Sequence, residues 1–85
     1  MQNKEPRNDK GEPHGFWYTY IYNNVINYYG EYVNGKRHGK WTWYTGITPE
    51  ENEIWVTATF FNNKRIGLMT TYHKRKIYSE IFFAN

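Results

Sequence analysis

The sequence predicts an all-β protein: a single antiparallel meander of about six strands, built from β-hairpin repeats, with no helix. Three observations lead there. Short runs rich in Val, Ile, Thr, Tyr, Phe and Trp recur along the chain, and these residues suit a pleated, half-buried surface. Asn, Gly, Pro and charged pairs punctuate the runs, and Asn and Gly take the positive φ that tight hairpin turns require. The third observation is an internal echo. Gly35, Gly39 and Tyr44 stand in the pattern Gly-x-x-x-Gly-x-x-x-x-Tyr, which Gly11, Gly15 and Tyr20 show earlier and Asn63, Gly67 and Tyr72 show later.

Met1 to Pro13 is polar and charged and holds two of the three prolines, so residues 1–13 are expected to be a flexible N-terminal segment and residues 14–85 the repeat domain. The first strand is expected over Phe16–Tyr22, before a turn at Asn23-Asn24. Val25–Val33 is the second, and Asn34-Gly35 after it is a strong hairpin signal. The third is expected over Lys40–Thr45, leaving the basic stretch Lys36-Arg37-His38 to the turn. Thr48-Pro49-Glu50 marks the next connection, because proline presets the φ of a turn. Glu53–Phe61, Arg65–His73 and Lys76–Phe83 complete the series, separated by Asn62-Asn63 and Lys74-Arg75.

Strand sequences echo as the turns do: Glu31-Tyr32-Val33-Asn34 returns as Thr59-Phe60-Phe61-Asn62, and Ile81-Phe82-Phe83-Ala84-Asn85 looks like one more such strand. Alternation sends Ile54, Val56, Ala58 and Phe60 to one face and Trp55, Thr57, Thr59 and Phe61 to the other. Neither face is polar. A small sheet with two partly apolar faces calls for curling upon itself or for a partner, and a homodimer is the simplest partner. The last strand, Ile77 to Phe83, has no proline and one charge, so at an edge it invites pairing.

The stretch Gly30-Glu31-Tyr32-Val33-Asn34-Gly35-Lys36-Arg37-His38-Gly39-Lys40-Trp41 resembles a MORN-type repeat, in the variant of bacterial proteins often labelled antitoxins of the YwqK kind. The resemblance covers roughly residues 10–85 and is closest in the central copy; the third copy has Asn62-Asn63 for Asn-Gly and Ile66 for the histidine. It implies hairpins that successively extend an antiparallel sheet, and a toxin as partner, with no catalytic residues to carry over. In size and charge the chain is also similar to small phage-encoded inhibitors of toxin ribonucleases.

A domain of this size buries little, and the 21% aromatic content is what compensates, since each buried ring removes about 150 to 250 Å² from water. No cysteine is present, which excludes disulfides and thiolate metal sites and fits a reducing cytoplasm, that of the host cell for a phage-borne gene. No apolar run approaches the roughly 20 residues of a membrane span, so no membrane association through a span is expected. The net charge of +3 is uneven: residues 1–33 balance at −1, whereas residues 34–85 carry eight Lys and Arg against four Glu. Abundant Asn, Lys, Ile and Tyr fit an AT-rich genome of the phage type.

Turns of a meander alternate between the two ends of the sheet. Lys36, Arg37 and His38 are therefore expected to share one end with Lys64 and Arg65, flanked by Lys40, Trp41 and Trp43, while Lys74, Arg75 and Lys76 fall at the other end near Glu50-Glu51. Basic groups beside aromatic faces suit single-stranded RNA, with cations on phosphates and rings under bases, and Trp41 and Trp43 are the candidate stacking surfaces. The plainer reading is that turn Lys and Arg keep the sheet soluble and that the tryptophans are core. His14 and His38 recur without accompanying carboxylates, so no metal or other cofactor is expected, and the lone serine and absent cysteine argue against an enzyme. The expected function is that of a small RNA-binding, antitoxin-like inhibitor of a toxin or host defence factor. The alternative is a protein-interaction module acting through its aromatic sheet face without nucleic acid.

Overall fold

The computed structural model describes residues 3–22 and 25–84. It is all β. Six strands, β1 (Gly15–Tyr22), β2 (Val25–Val33), β3 (Lys36–Tyr44), β4 (Ile54–Phe61), β5 (Lys64–His73) and β6 (Lys76–Phe83), form one sheet in sequence order, and no helix occurs among the described residues. Every neighbouring pair is antiparallel. The sheet stays open as a single layer, its Cα atoms spanning 40 × 37 × 10 Å, and β1 does not close onto β6.

Two-residue turns set the registers. Asn34-Gly35, Asn62-Asn63 and Lys74-Arg75 all have positive φ at both central positions, from 47° to 84°, the twist that matches a right-handed hairpin. The expected turn at Asn23-Asn24 lies outside the described residues. In the longer β3–β4 connection, Asn52 holds the loop: its Oδ1 accepts from the Gly46 amide at 2.8 Å and its Nδ2 donates to the Ile26 carbonyl at 2.9 Å.

Most strand limits differ from expectation by a residue at most, but β3 begins four residues earlier than the expected Lys40. A two-residue turn ends at Gly35, so Lys36, Arg37 and His38 enter the ladder at once, opposite Val33, Tyr32 and Glu31. The alternation expected from Ile54 onward is interrupted at Trp55, because Trp43 opposes Val56 while Tyr44 opposes Ile54.

The second glycine of the central and third repeats, Gly39 and Gly67, makes a bulge rather than a turn, whereas Gly15 pairs in regular register with Tyr32. Pairing jumps from Glu31–His38 to Tyr29–Thr42, so Gly39, Lys40 and Trp41 stand opposite Gly30 alone. The same jump recurs from Thr59–Ile66 to Thr57–Thr70, setting Gly67, Leu68 and Met69 opposite Ala58. Gly39 and Gly67 have φ of 77° and 66°, which suits glycine at such a site.

The bulge swings the Trp41 indole across Gly30, where a side chain would collide with it. Trp41 is fully buried and, with Ala58 and Phe60, forms the core, against which Tyr28, Tyr32, Trp43 and Met69 pack. Its Nε1–H donates to the Glu31 carbonyl at 3.1 Å, satisfying the one polar atom that burial strands. On the opposite face Thr42, Thr57 and Thr70 lie side by side across β3, β4 and β5 and are also buried.

Residues expected to stand apart as a flexible segment lie along β1. Lys4 and Tyr18 exchange backbone hydrogen bonds at 2.8 and 3.0 Å, and the Tyr20 amide donates to Asn3 Oδ1 at 2.7 Å. Trp17 Nε1–H donates to the Pro6 carbonyl at 2.9 Å, and the Gly35 amide to the Pro13 carbonyl at 2.8 Å. Polar composition signalled solvent, but backbone pairing and the prolines let a polar segment cap a sheet edge.

Candidate nucleic-acid interface

Because Lys36, Arg37 and His38 are strand residues, the pleat divides them instead of gathering them at a turn. Arg37 lies on the core face, its Cζ 5.3 Å from the Trp41 ring centre and 5.5 Å from that of Phe60. Its Nε is buried without a hydrogen-bond partner among the described residues. The His38 ring lies 5.9 Å from Phe61. Lys36 is exposed and lines a cleft with Asp9, Lys10 and Glu12. Lys40 is exposed opposite Thr59 and Lys64 is exposed opposite Phe61.

Arg65 repeats the setting of Arg37 one hairpin later. Its Cζ lies 4.7 Å over the Phe83 ring, and Nη1 reaches Met69 Sδ at 3.9 Å. The spacing Arg-x-x-x-Trp in β3 thus returns as Arg-x-x-x-Met in β5, each arginine resting on the bulge residue four positions on. Between the two runs a groove of about 540 Å³, whose lining includes Arg37, Trp43, Phe60, Asn63, Arg65 and Met69, with no carboxylate among its lining residues. Asn63 ties the strands at its mouth, donating its amide to the Arg37 carbonyl at 3.0 Å and accepting from the Arg37 amide at Oδ1.

Trp41 cannot be a stacking surface. It is 0% exposed, and an indole enclosed on both sides offers no face to a base. Trp43 remains half-buried in the groove wall, its ring 6.1 Å from Phe60. Phe60, Asn63, Met69 and Phe83 were not picked out by sequence reasoning; the repeated four-residue spacing after each arginine was the available signal.

The other expected basic cluster is partly offset by carboxylates. Arg75 forms an ion pair with Glu53 at 3.3 Å, and Lys74 lines a cleft with Glu50 and Glu51. Lys76 follows at the start of β6, exposed. His14 serves the fold, its Nδ1 accepting from the Asn34 amide at 3.0 Å. No cluster of three or more His, Asp or Glu suited to a metal ion occurs among the described residues. On the face away from the groove Tyr18, Tyr29 and Tyr44 run across β1 to β3, with ring centres 5.7 and 6.3 Å apart. Burial, and next the neighbouring Tyr29 phenol, hold the Tyr44 hydroxyl above the usual tyrosine range.

No family model, no curated protein and no solved structure matches this chain.

Proposed function

We propose that the core face binds single-stranded RNA through the groove between Arg37 and Arg65. One observation carries the reading: two guanidinium groups, 28 residues apart in sequence, are held on aromatic and thioether partners around Phe60 in a groove without carboxylates. Stacking fixes the planar guanidinium while leaving N–H donors for phosphate oxygens, and Trp43 supplies a ring edge beside them. Lys64 extends the positive field at the same end of the sheet. The biological role that the resemblance to MORN-type repeats suggests is inhibition of a toxin or host defence factor, acting on RNA or on an RNA-processing toxin itself.

A second reading has its own support. Trp55, Phe61, Tyr78 and Phe82 are between 53% and 76% exposed, more aromatic surface than a solitary sheet needs, and it suits a protein partner. Salt separates the two. With three phosphate contacts, RNA affinity measured by fluorescence anisotropy falls about twenty-fold between about 50 and 200 mM salt. The double variant Arg37→Gln, Arg65→Gln removes most of the binding and of its salt dependence, with the strand signal in circular dichroism retained. Absence of binding by the native protein at low salt overturns the RNA reading and leaves the protein-partner one.

A further inference from the structure

We propose that β6 pairs edge to edge with β6 of a second copy of this chain, closing a two-fold dimer with one continuous sheet. The proposal rests on an asymmetry between the two sheet edges and not on the RNA-binding reading.

At one edge β1 is capped: Lys4 pairs with Tyr18 through both backbone hydrogen bonds, and Asn3 takes the Tyr20 amide. At the other edge β6 has no outer neighbour among the described residues. Its large side chains are exposed, with Ile77 at 58%, Tyr78 at 76%, Ile81 at 47% and Phe82 at 72%. A row of unpaired amides and carbonyls beside apolar side chains is a template for another strand. Because the β1 edge is capped, head-to-tail addition is blocked, and the surface left to β6 is its own counterpart. Such an interface is self-complementary and stops at two copies.

Register follows from the core. The apolar row on the core face runs from Trp17 opposite Gly30 to Trp41 opposite Ala58 and Met69 opposite Ile81. β6 is free of irregularity from Ser79 to Phe83, the break lying between Ser79 and Ile77. Pairing centred on Ile81 carries the row straight into the second copy, Ile81 against Ile81, and places Glu80 opposite Phe82 and Ser79 opposite Phe83. It also avoids setting two Glu80 carboxylates against each other. An antiparallel strand pair has its two-fold axis perpendicular to the sheet, so both copies turn the same face to the same side. The two Met69 residues are then separated by three strand intervals, roughly 14 Å, while the two Arg65 residues, four positions away along β5 and in opposite directions, lie roughly 30 Å apart.

Light scattering after size exclusion, across a dilution series, tests this directly. The native chain is expected to run at twice its monomer mass, and Ile81→Lys, which sets two ammonium groups face to face, at the monomer mass with its circular dichroism unchanged. Ile81→Cys, in a protein with no other cysteine, is expected to cross-link into a covalent dimer under mild oxidation, whereas Phe16→Cys on β1 is not. Lys4→Pro removes one capping hydrogen bond from the β1 edge and is expected to yield species larger than a dimer. A native chain that is monomeric throughout the series overturns the proposal. So does a dimer that survives Ile81→Lys and fails to cross-link through Ile81→Cys, since the copies would then meet face to face. A Lys4→Pro protein that remains strictly dimeric overturns the capping argument.

Discussion

The indole of Trp41 occupies the space that a side chain on Gly30 would need, and the bulge of β3 is what brings it there. Gly30→Ala forces that ring out of the core and is expected to cost about 1 to 3 kcal/mol of stability, at the upper end of that overpacking range because the ring has no room to give. Gly39→Ala meets open space but keeps a φ of 77°, and it is expected to cost about 1 kcal/mol. Urea denaturation followed by tryptophan fluorescence ranks the two; equal costs would mean that the ring has somewhere else to go.

The two neighbouring tryptophans separate stability from binding. Trp41→Ala empties the centre of the core and is expected to cost about 3 to 5 kcal/mol, enough to unfold a domain of this size. Trp43→Ala, at the groove wall, is expected to leave a cooperative thermal transition while lowering RNA affinity several-fold. A normal RNA affinity in Trp43→Ala would remove that ring from the interface.

Lys74 and Arg75 adopt φ of 50° and 67° without the small or amide side chains that tolerate such angles. Replacing the pair by Asn-Gly, as Lys74→Asn with Arg75→Gly, is expected to stabilise the protein by about 1 kcal/mol. The exposed ion pair from Arg75 to Glu53 is lost in the exchange, but surface pairs contribute less than about 1 kcal/mol. Thermal melts decide, and a lowered midpoint would show that the ion pair outweighs the backbone strain.

Burial raises the Tyr44 ionisation in the fold, with Tyr29 adding to it. The folded state therefore holds its proton to higher pH than the unfolded chain does. Stability from this group is fully present below the ordinary tyrosine range, near pH 10, and is lost as pH rises through the folded value. Denaturation midpoints measured from neutral to strongly alkaline pH are expected to fall more steeply for the native protein than for Tyr44→Phe. Identical slopes would show that Tyr44 is not the group responsible.

Strand order, strand type and the two-residue turns were legible because each is a local matter. Asn-Gly and Asn-Asn state their backbone angles, and runs of β-branched and aromatic residues state an extended chain. The basic groups of Lys36 to His38 were misplaced because Gly39 was read as part of the turn. Glycine marks both turns and bulges, and only the partner strand distinguishes them. The place of the N-terminal segment along β1 is not legible for a related reason: its composition is that of a solvated tail, and its hydrogen bonds use backbone atoms that composition does not describe.

The sequence alone determined an all-β meander with repeated hairpins, a positive charge concentrated in its second half, and a large aromatic supply. Tertiary structure decided what those aromatics and charges do. Registers across strands distant in the chain enclosed Trp41 and left Trp43 accessible, turned Arg37 and Arg65 into one groove, and set Glu53 against Arg75. The physical reason is that burial and charge compensation depend on distances between residues far apart in the chain, and those distances exist only once every strand has found its neighbour.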